Sequence, residues 1–346
     1  MAGQTRAVVV DDSRFMRTVV SDILEEGDVT VVAEASDGAD AVEAVATHDP
    51  DVVTMDVEMP GVDGIEAVER IMASNPVPIL MLSAHTDEDA DVTFEALERG
   101  AVDFFTKPGG EVTAEMGRFR EQLVAKAHSV AEADVGGDGG THSATALDAG
   151  GVTSGSTVVI GASTGGPSVV EDVLADLPVD AALRVLIVQH MPASFTGRFA
   201  DRLDDASAYD VFEPSDGAGL RPGEAAVAPG DGHLRVAEDR RDRVTLSVVD
   251  GDPVNGVRPA IDVTMRSAAA TVSGPLTGVV LTGMGSDGAA GVEAIADAGG
   301  AVVAQDEATS AVYGMPERAA ETGCVDAAVP AGDVPEAILD SFTDRR

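Results

Sequence analysis

The chain contains no tryptophan, two tyrosines and nine phenylalanines in 346 residues. Its cores therefore have to be built mostly from Val, Ala, Leu, Ile and Met. Hydrophobic residues make up 44% of the sequence, enough for that purpose. Cysteine is almost missing too. Cys324 is the only one, so no internal disulfide can form, as suits a reducing cytosol. It opens an apolar stretch over 324–329 and reads as a small buried hydrophobe. No run approaches the ~20 apolar residues of a membrane span. The short apolar run at 7–10 meets Asp11 and Asp12 at once, unlike a signal sequence. A cytoplasmic protein with no direct membrane insertion is expected.

Bases are scarce. Sixty-one acids face 22 bases, for a net charge of −39, and Lys107 and Lys126 are the only lysines. Such a field repels nucleic acid phosphates and anionic membranes, which excludes DNA binding as an output. An excess of acids with lysine nearly absent resembles the proteins of salt-loving archaea. At molar salt the Debye length is about 3 Å, and self-repulsion of this size is screened.

What is present is a repeated alternation of short apolar runs and amphipathic segments. Residues 7–10, 29–33, 52–55, 79–82 and 101–105 read as five buried strands. Helical spacing separates them, as at 13–25 and 64–74, and a helix over about 115–127 closes the unit. Alternating β and α elements imply a parallel sheet covered on both faces. From 128 to about 155 the pattern stops. That stretch is rich in Gly, Ala, Ser, Thr and Asp, and reads as a flexible linker. A second alternation follows, with strands at 157–160, 185–188, 279–281 and 301–304. Residues 223–235 and 243–249 suggest a hairpin or a small β excursion, and 260–272 a helix.

In a parallel α/β sheet, ligands bind beyond the carboxyl ends of the strands. Asp11 and Asp12 end the first strand and Asp56 the third. Clustered carboxylates repel one another and favour a hard cation such as Mg²⁺. Asp56 could then attack phosphorus as an oxygen nucleophile. Ser83 ends the fourth strand, and Lys107 follows the fifth as a compact ammonium suited to Asp56 or phosphate. The motifs Val10-Asp11-Asp12-Ser13, Met55-Asp56-Val57-Glu58-Met59-Pro60-Gly61, Leu82-Ser83-Ala84 and Phe104-Phe105-Thr106-Lys107-Pro108 resemble the two-component receiver domain. The resemblance covers roughly the first 125 residues. It implies Asp56 as phosphoacceptor, with Mg²⁺ on Asp11, Asp12, Asp56 and the backbone carbonyl of Glu58. It also implies Ser83 and Phe104 as the switch pair. Many receivers carry Tyr where Phe104 stands, so that hydroxyl is missing here.

Gly161-Ala162-Ser163-Thr164-Gly165-Gly166-Pro167 follows a strand and opens a helix. Its Gly-x-Ser-x-Gly core fits a sharp turn that exposes the Ser163 hydroxyl as a nucleophile. A glycine-rich phosphate loop is the alternative, although no lysine follows, which excludes a Walker-type loop. A serine nucleophile needs a base. His190 ends the next strand on the same edge, and His233 is the rival. Asp287, in Thr282-Gly283-Met284-Gly285-Ser286-Asp287-Gly288, could orient the imidazole, or could simply cap a helix. The same Gly-rich turn could aim N–H groups at an oxyanion. The order Ser163, His190, Asp287 differs from that of α/β-hydrolases.

These motifs, with Gln189-His190-Met191-Pro192, Ala228-Pro229-Gly230-Asp231-Gly232-His233 and Tyr313-Gly314-Met315-Pro316, resemble the CheB family of chemotaxis protein-glutamate methylesterases. That resemblance implies a receiver domain at 1–127, a flexible linker at 128–155 and a methylesterase catalytic domain at 156–346. Both domains would be doubly wound parallel-sheet α/β units, the first flavodoxin-like and the second Rossmann-like. It implies Ser163 as nucleophile, His190 as base, Asp287 as orienter and the Met284 N–H at the oxyanion, with no cofactor for the ester reaction. Glutamate methyl esters on methyl-accepting chemoreceptors are the implied substrate, together with receptor glutamines for deamidation. The histidine kinase CheA is the implied phosphodonor. A non-catalytic, phospho-switched adaptor is the competing reading; it would release no methanol.

Overall fold

The computed structural model describes residues 4–83, 87–107, 115–133, 135, 147, 150–240 and 243–343. The chain divides into two compact units, Met1–Gly140 and Thr141–Arg346. Most of the expected linker, and the ends of both tails, lie outside the described residues. No described helix is long and apolar enough to cross a membrane.

The first unit alternates strictly. Strands β1 (Arg6–Val10), β2 (Thr30–Ala35), β3 (Val52–Asp56), β4 (Ile79–Ser83) and β5 (Asp103–Thr106) are interleaved with five helices. These are α1 (Arg14–Glu26), α2 (Gly38–His48), α3 (Gly64–Ser74), α4 (Asp87–Glu98) and α5 (Glu115–Ala131). Strands β3 and β4 are buried at every position, as continuous apolar runs in a doubly covered sheet should be. The sheet is parallel, in the order β2-β1-β3-β4-β5. The chain reverses direction across the sheet between β1 and β3, and a ligand crevice opens at such a switch point. Asp11 and Asp56 stand there.

Helix α5 runs past the expected end at 127. Leu123, Ala127 and Val130 continue one buried stripe at helical spacing. His128, expected in the linker, belongs to this helix. Its Nε2 donates to the Gly27 carbonyl at 2.9 Å, which leaves Nδ1 to accept from Thr5 Oγ1 at 3.2 Å.

The second unit has ten strands and six α-helices among the described residues. The strands are β6 (Thr157–Ala162), β7 (Arg184–Gln189), β8 (Asp210–Phe212), β9 (Gly219–Leu220), β10 (Glu224–Val227), β11 (His233–Arg240), β12 (Arg243–Val249), β13 (Leu276–Val280), β14 (Ala301–Gln305) and β15 (Ala327–Val329). The helices are α6 (Gly166–Asp176), α7 (Ala193–Ala206), α8 (Ile261–Thr271), α9 (Ala289–Asp297), α10 (Met315–Glu321) and α11 (Val334–Thr343). Seven strands form a parallel sheet in the order β15-β14-β13-β6-β7-β10-β8. Strand β6 sits at its switch point, with β7 on one side and β13 on the other.

One expectation needs correction. The hairpin is formed by β11 and β12, antiparallel from His233 opposite Val249 to Arg240 opposite Arg243. Residues 224–227 instead form β10, a strand of the main sheet between β7 and β8. Ala225, Ala226 and Val227 are fully buried, and Pro229 and Gly230 separate them from the hairpin. Cys324, expected to be buried, is only half-buried.

Candidate active site

In the first unit four strand ends converge on one pocket. Asp11 and Asp56 are buried and Asp12 is exposed; one carboxylate oxygen from each lies within 4.8 Å of the others. Asp11 is fixed by two bonds: Oδ1 accepts from the Ser13 N–H at 2.9 Å, and Oδ2 from Lys107 Nζ at 2.8 Å. Lys107 Nζ also lies 2.6 Å from Asp56 Oδ1. The Arg17 guanidinium donates to the carbonyls of Asp11 and Asp12 at 2.6 and 3.2 Å, holding the acidic dipeptide from below.

Burial pushes the Asp56 carboxyl up to about 6, against the opposing pull of Lys107. Burial also works against the Lys107 ammonium, but its bonds to Asp11 and Asp56 outweigh it, so its pKa is raised. Ser83 is buried at the end of β4, where its hydroxyl accepts from Thr93 Oγ1 at 2.9 Å. Phe104 is buried edge-on against Phe94, with centroids 6.2 Å apart. Glu58 is exposed on the loop after β3.

Lys126 belongs to none of the sequence motifs. Its ammonium donates to the Phe104 carbonyl at 2.8 Å, pairs with buried Asp103 at 3.0 Å and sits 5.5 Å from the Phe104 ring centre. The signal was available: one of only two lysines in an arginine-dominated chain lies on the helix facing β5.

In the second unit Ser163 follows β6, His190 follows β7, and Thr282 to Asp287 follow β13. These are the three central strand ends of the sheet. The Ser163 turn is pinned from every side. Its N–H donates to the Thr282 carbonyl at 3.0 Å. Its carbonyl accepts from the Gly166 N–H at 2.8 Å and from Gln189 Nε2 at 2.8 Å. Gly165 takes φ +73°, a left-handed conformation that lets the chain enter α6 directly. Gly283 is a second requirement. A Cβ there would fall 2.6 Å from the Ser163 Cβ. Among the described residues the Ser163 hydroxyl makes no hydrogen bond, and neither does the Met284 N–H on the exposed turn beside it.

The ring of His190 bonds through Nε2 to Asp287 Oδ2 at 2.9 Å. Asp287 is buried and accepts three further bonds. Oδ2 takes the Ile261 N–H at 2.6 Å, and Oδ1 takes Asn255 Nδ2 at 2.9 Å and the Asp262 N–H at 3.2 Å. Burial alone would raise the Asp287 carboxyl, but His190, the Ile261 N–H and Asn255 outweigh it and hold it below the usual carboxylate range. Asp287 does not cap α9, whose N-cap is Gly288 with no side-chain bond. It caps α8 instead.

The rival base is occupied. His233 is buried, with Nδ1 accepting from the Ala260 N–H at 3.1 Å and Nε2 bonded to the Asp252 carbonyl at 3.0 Å. Both ring nitrogens are committed to backbone groups.

The CheB methylesterase family model matches residues 158–338, and the response regulator receiver domain model matches residues 7–114. A protein-glutamate methylesterase/protein-glutamine glutaminase of Haloarcula marismortui is 57% identical, covering 99% of each chain. The chain belongs to the CheB methylesterase family. It is a two-component signalling hydrolase with a receiver domain before its catalytic domain. A family member from Natronomonas pharaonis is 54% identical over 97% of this chain and 97% of its own. The crystal structure of the CheB methylesterase catalytic domain of Thermotoga maritima superposes with a TM-score of 0.52 at 39% identity, covering 54% of this chain and 99% of that one. The methylesterase match lies within the second unit and the receiver match within the first.

Proposed function

We propose that the second unit hydrolyses glutamate methyl esters on chemoreceptors by a Ser163–His190–Asp287 triad, and deamidates receptor glutamines at the same site. The observation that carries this reading is the His190–Asp287 bond of 2.9 Å placed beside the Ser163 turn. Because Nε2 faces Asp287, Nδ1 is the nitrogen left to act on Ser163. Nδ1 takes the Ser163 proton as Oγ attacks the ester carbonyl. Asp287 stabilises the imidazolium that forms. The Met284 N–H faces the oxyanion. The imidazolium then gives its proton to the departing methoxide oxygen, which leaves as methanol, or to the amide nitrogen of glutamine, which leaves as ammonia. Water, deprotonated by the same nitrogen, attacks the acyl carbon, and the proton passes to Ser163 Oγ as the carboxylate product leaves.

The test is methanol release from methyl-labelled receptor. A phospho-switched adaptor would release none. The turn gives a second check. Gly283→Ala should displace Ser163 and lower kcat by about 10²-fold, as a misplacement of ~1 Å does. Wild-type turnover in that variant would contradict the close approach.

In the receiver, Asp56 would accept the phosphoryl group, and Asp11, Asp12, Asp56 and the Glu58 carbonyl would hold Mg²⁺. Three clustered carboxylate oxygens suit that hard cation. Bound Mg²⁺ supplies charge neutralisation for the phosphoryl oxygens. Lys107 shares that task, and the Ser83 hydroxyl bonds a phosphoryl oxygen. The histidine kinase CheA fits as donor, and phosphorylation would raise esterase activity. Asp56→Asn, or chelation of Mg²⁺, should abolish the rise in methanol release that a phosphodonor produces in the full chain. A phosphodonor response surviving in Asp56→Asn would remove Asp56 from this role.

A further inference from the structure

Two buried carboxylates lie side by side behind the imidazole. Asp287 sits just before α9 yet caps α8, through the N–H groups of Ile261 and Asp262. Asp262 sits in the first turn of α8 yet caps α9: its Oδ1 accepts from the Gly288 N–H at 3.0 Å and the Gly291 N–H at 2.7 Å. Each acid thus closes the other's helix. Helix N-termini favour negative charge, and the N–H groups that open α8 help to hold the Asp287 carboxyl below the usual carboxylate range.

One side chain joins them. Asn255 Nδ2 donates to Asp262 Oδ2 at 2.9 Å and to Asp287 Oδ1 at 2.9 Å. The amide NH₂ has two protons, one for each acid. Asn255 itself is exposed, on the turn closed by the Val254–Val257 bridge. Its φ is +54°, a left-handed conformation that asparagine tolerates and most residues do not. The turn is held at both ends by His233, through the Asp252 carbonyl and the Ala260 N–H.

We propose that Asn255 is a positioning residue for the esterase: it fixes Oδ1 of Asp287 and so presents Oδ2 to His190 Nε2. The proposal rests on the triad reading above. The groups facing Asp287 are His190 at the end of β7, the two N–H groups that open α8, and Asn255. Those facing Asp262 are the two N–H groups at the start of α9, and Asn255 again. Asn255 is therefore the one side chain bonded to both acids among the described residues. Without its amide the Asp287 carboxylate gains basicity and freedom to turn. It then grips the imidazolium proton more tightly, so the His190–Asp287 pair holds its proton to higher pH.

The experiment uses the full chain and methyl-labelled receptor. Asn255→Gly removes the amide and keeps the left-handed backbone. Asn255→Asp keeps the shape and replaces the donor with a third carboxylate. Both should lower kcat, by about 10- to 100-fold for the glycine variant and more for the aspartate. The acid limb of kcat/KM should move to higher pH by roughly one unit in the glycine variant and further in the aspartate. Circular dichroism recorded over the same pH range for each variant separates acid unfolding, which would also move the limb upward, from a shift in the folded enzyme. A fall in kcat with an unmoved acid limb would assign Asn255 to loop structure alone and overturn the proposal, as would wild-type behaviour in both variants. Ser163→Ala is assayed alongside. If it retains activity, the triad reading fails; if it is silent while both Asn255 variants behave as wild type, only the positioning role fails.

Discussion

Replacing Ser163 with alanine should lower kcat on methylated receptor by roughly 10⁴-fold or more, in line with nucleophile deletions in other triads. The turn that carries Ser163 is held by backbone and Gln189 bonds, none of which involves the hydroxyl. The loss should therefore be in chemistry, with melting temperature and receptor binding preserved. His190→Ala should cost about as much. Its Nε2 partner Asp287 would keep three other donors, so this variant too should fold. Combining the two changes should add little, because nucleophile and base act as one unit. Independent, multiplying losses would show that the two residues do not share a step. Near-normal turnover in Ser163→Ala would remove the serine mechanism altogether.

Raising KCl from 0.1 M to 2 M should raise the melting temperature steeply. The chain carries a net charge of −39. At 0.1 M the Debye length is about 10 Å, and neighbouring surface carboxylates feel one another; at 1 M it is about 3 Å. Self-repulsion in the compact state is relieved accordingly. A difference of only ~4 kcal/mol would move the melting temperature of a domain of 150–250 residues by roughly 8–16 °C. The increment should shrink as pH falls toward ~4 and carboxylates take up protons. A melting temperature that does not respond to KCl would show that the acids are balanced locally, and would end the salt-adapted reading of the composition.

The parts of the fold that were legible in the sequence are those encoded locally. Strands β1, β3 and β4 are apolar runs closed by an acid or a serine, and their ends supply Asp11, Asp56 and Ser83. The Ser163 turn announces itself through its spaced glycines. What stayed hidden depends on contacts distant along the chain. Strand β10 is only four residues long, and burial by β7 and β8 decides its place, not its periodicity. The role of Asp287 was half visible. An aspartate in that turn reads as a possible helix cap, but the helix it caps is α8, whose first residue precedes it by 26 positions. Asn255 gave no signal at all. In Pro253-Val254-Asn255-Gly256 it reads as an ordinary turn residue, and nothing local reveals that its amide reaches a carboxylate 32 positions away.

The scarcity of lysine gives the chain an unusual chemical handle. Lys107 and Lys126 are its only lysines, and both ammonium groups are engaged, one by Asp11 and Asp56, the other by Asp103 and the Phe104 carbonyl. On most proteins, amine-directed crosslinkers and coupling resins scatter over dozens of surface lysines. Here, among side chains, they can meet only the phosphoacceptor pocket or the clamp on Phe104. Attachment through Lys107 would block the very pocket under study. The same chemistry can be turned into a footprint: the rate at which an acylating reagent modifies Lys107 reports whether its ion pair with Asp56 is closed, and mass spectrometry can read that rate at a single residue in the intact chain.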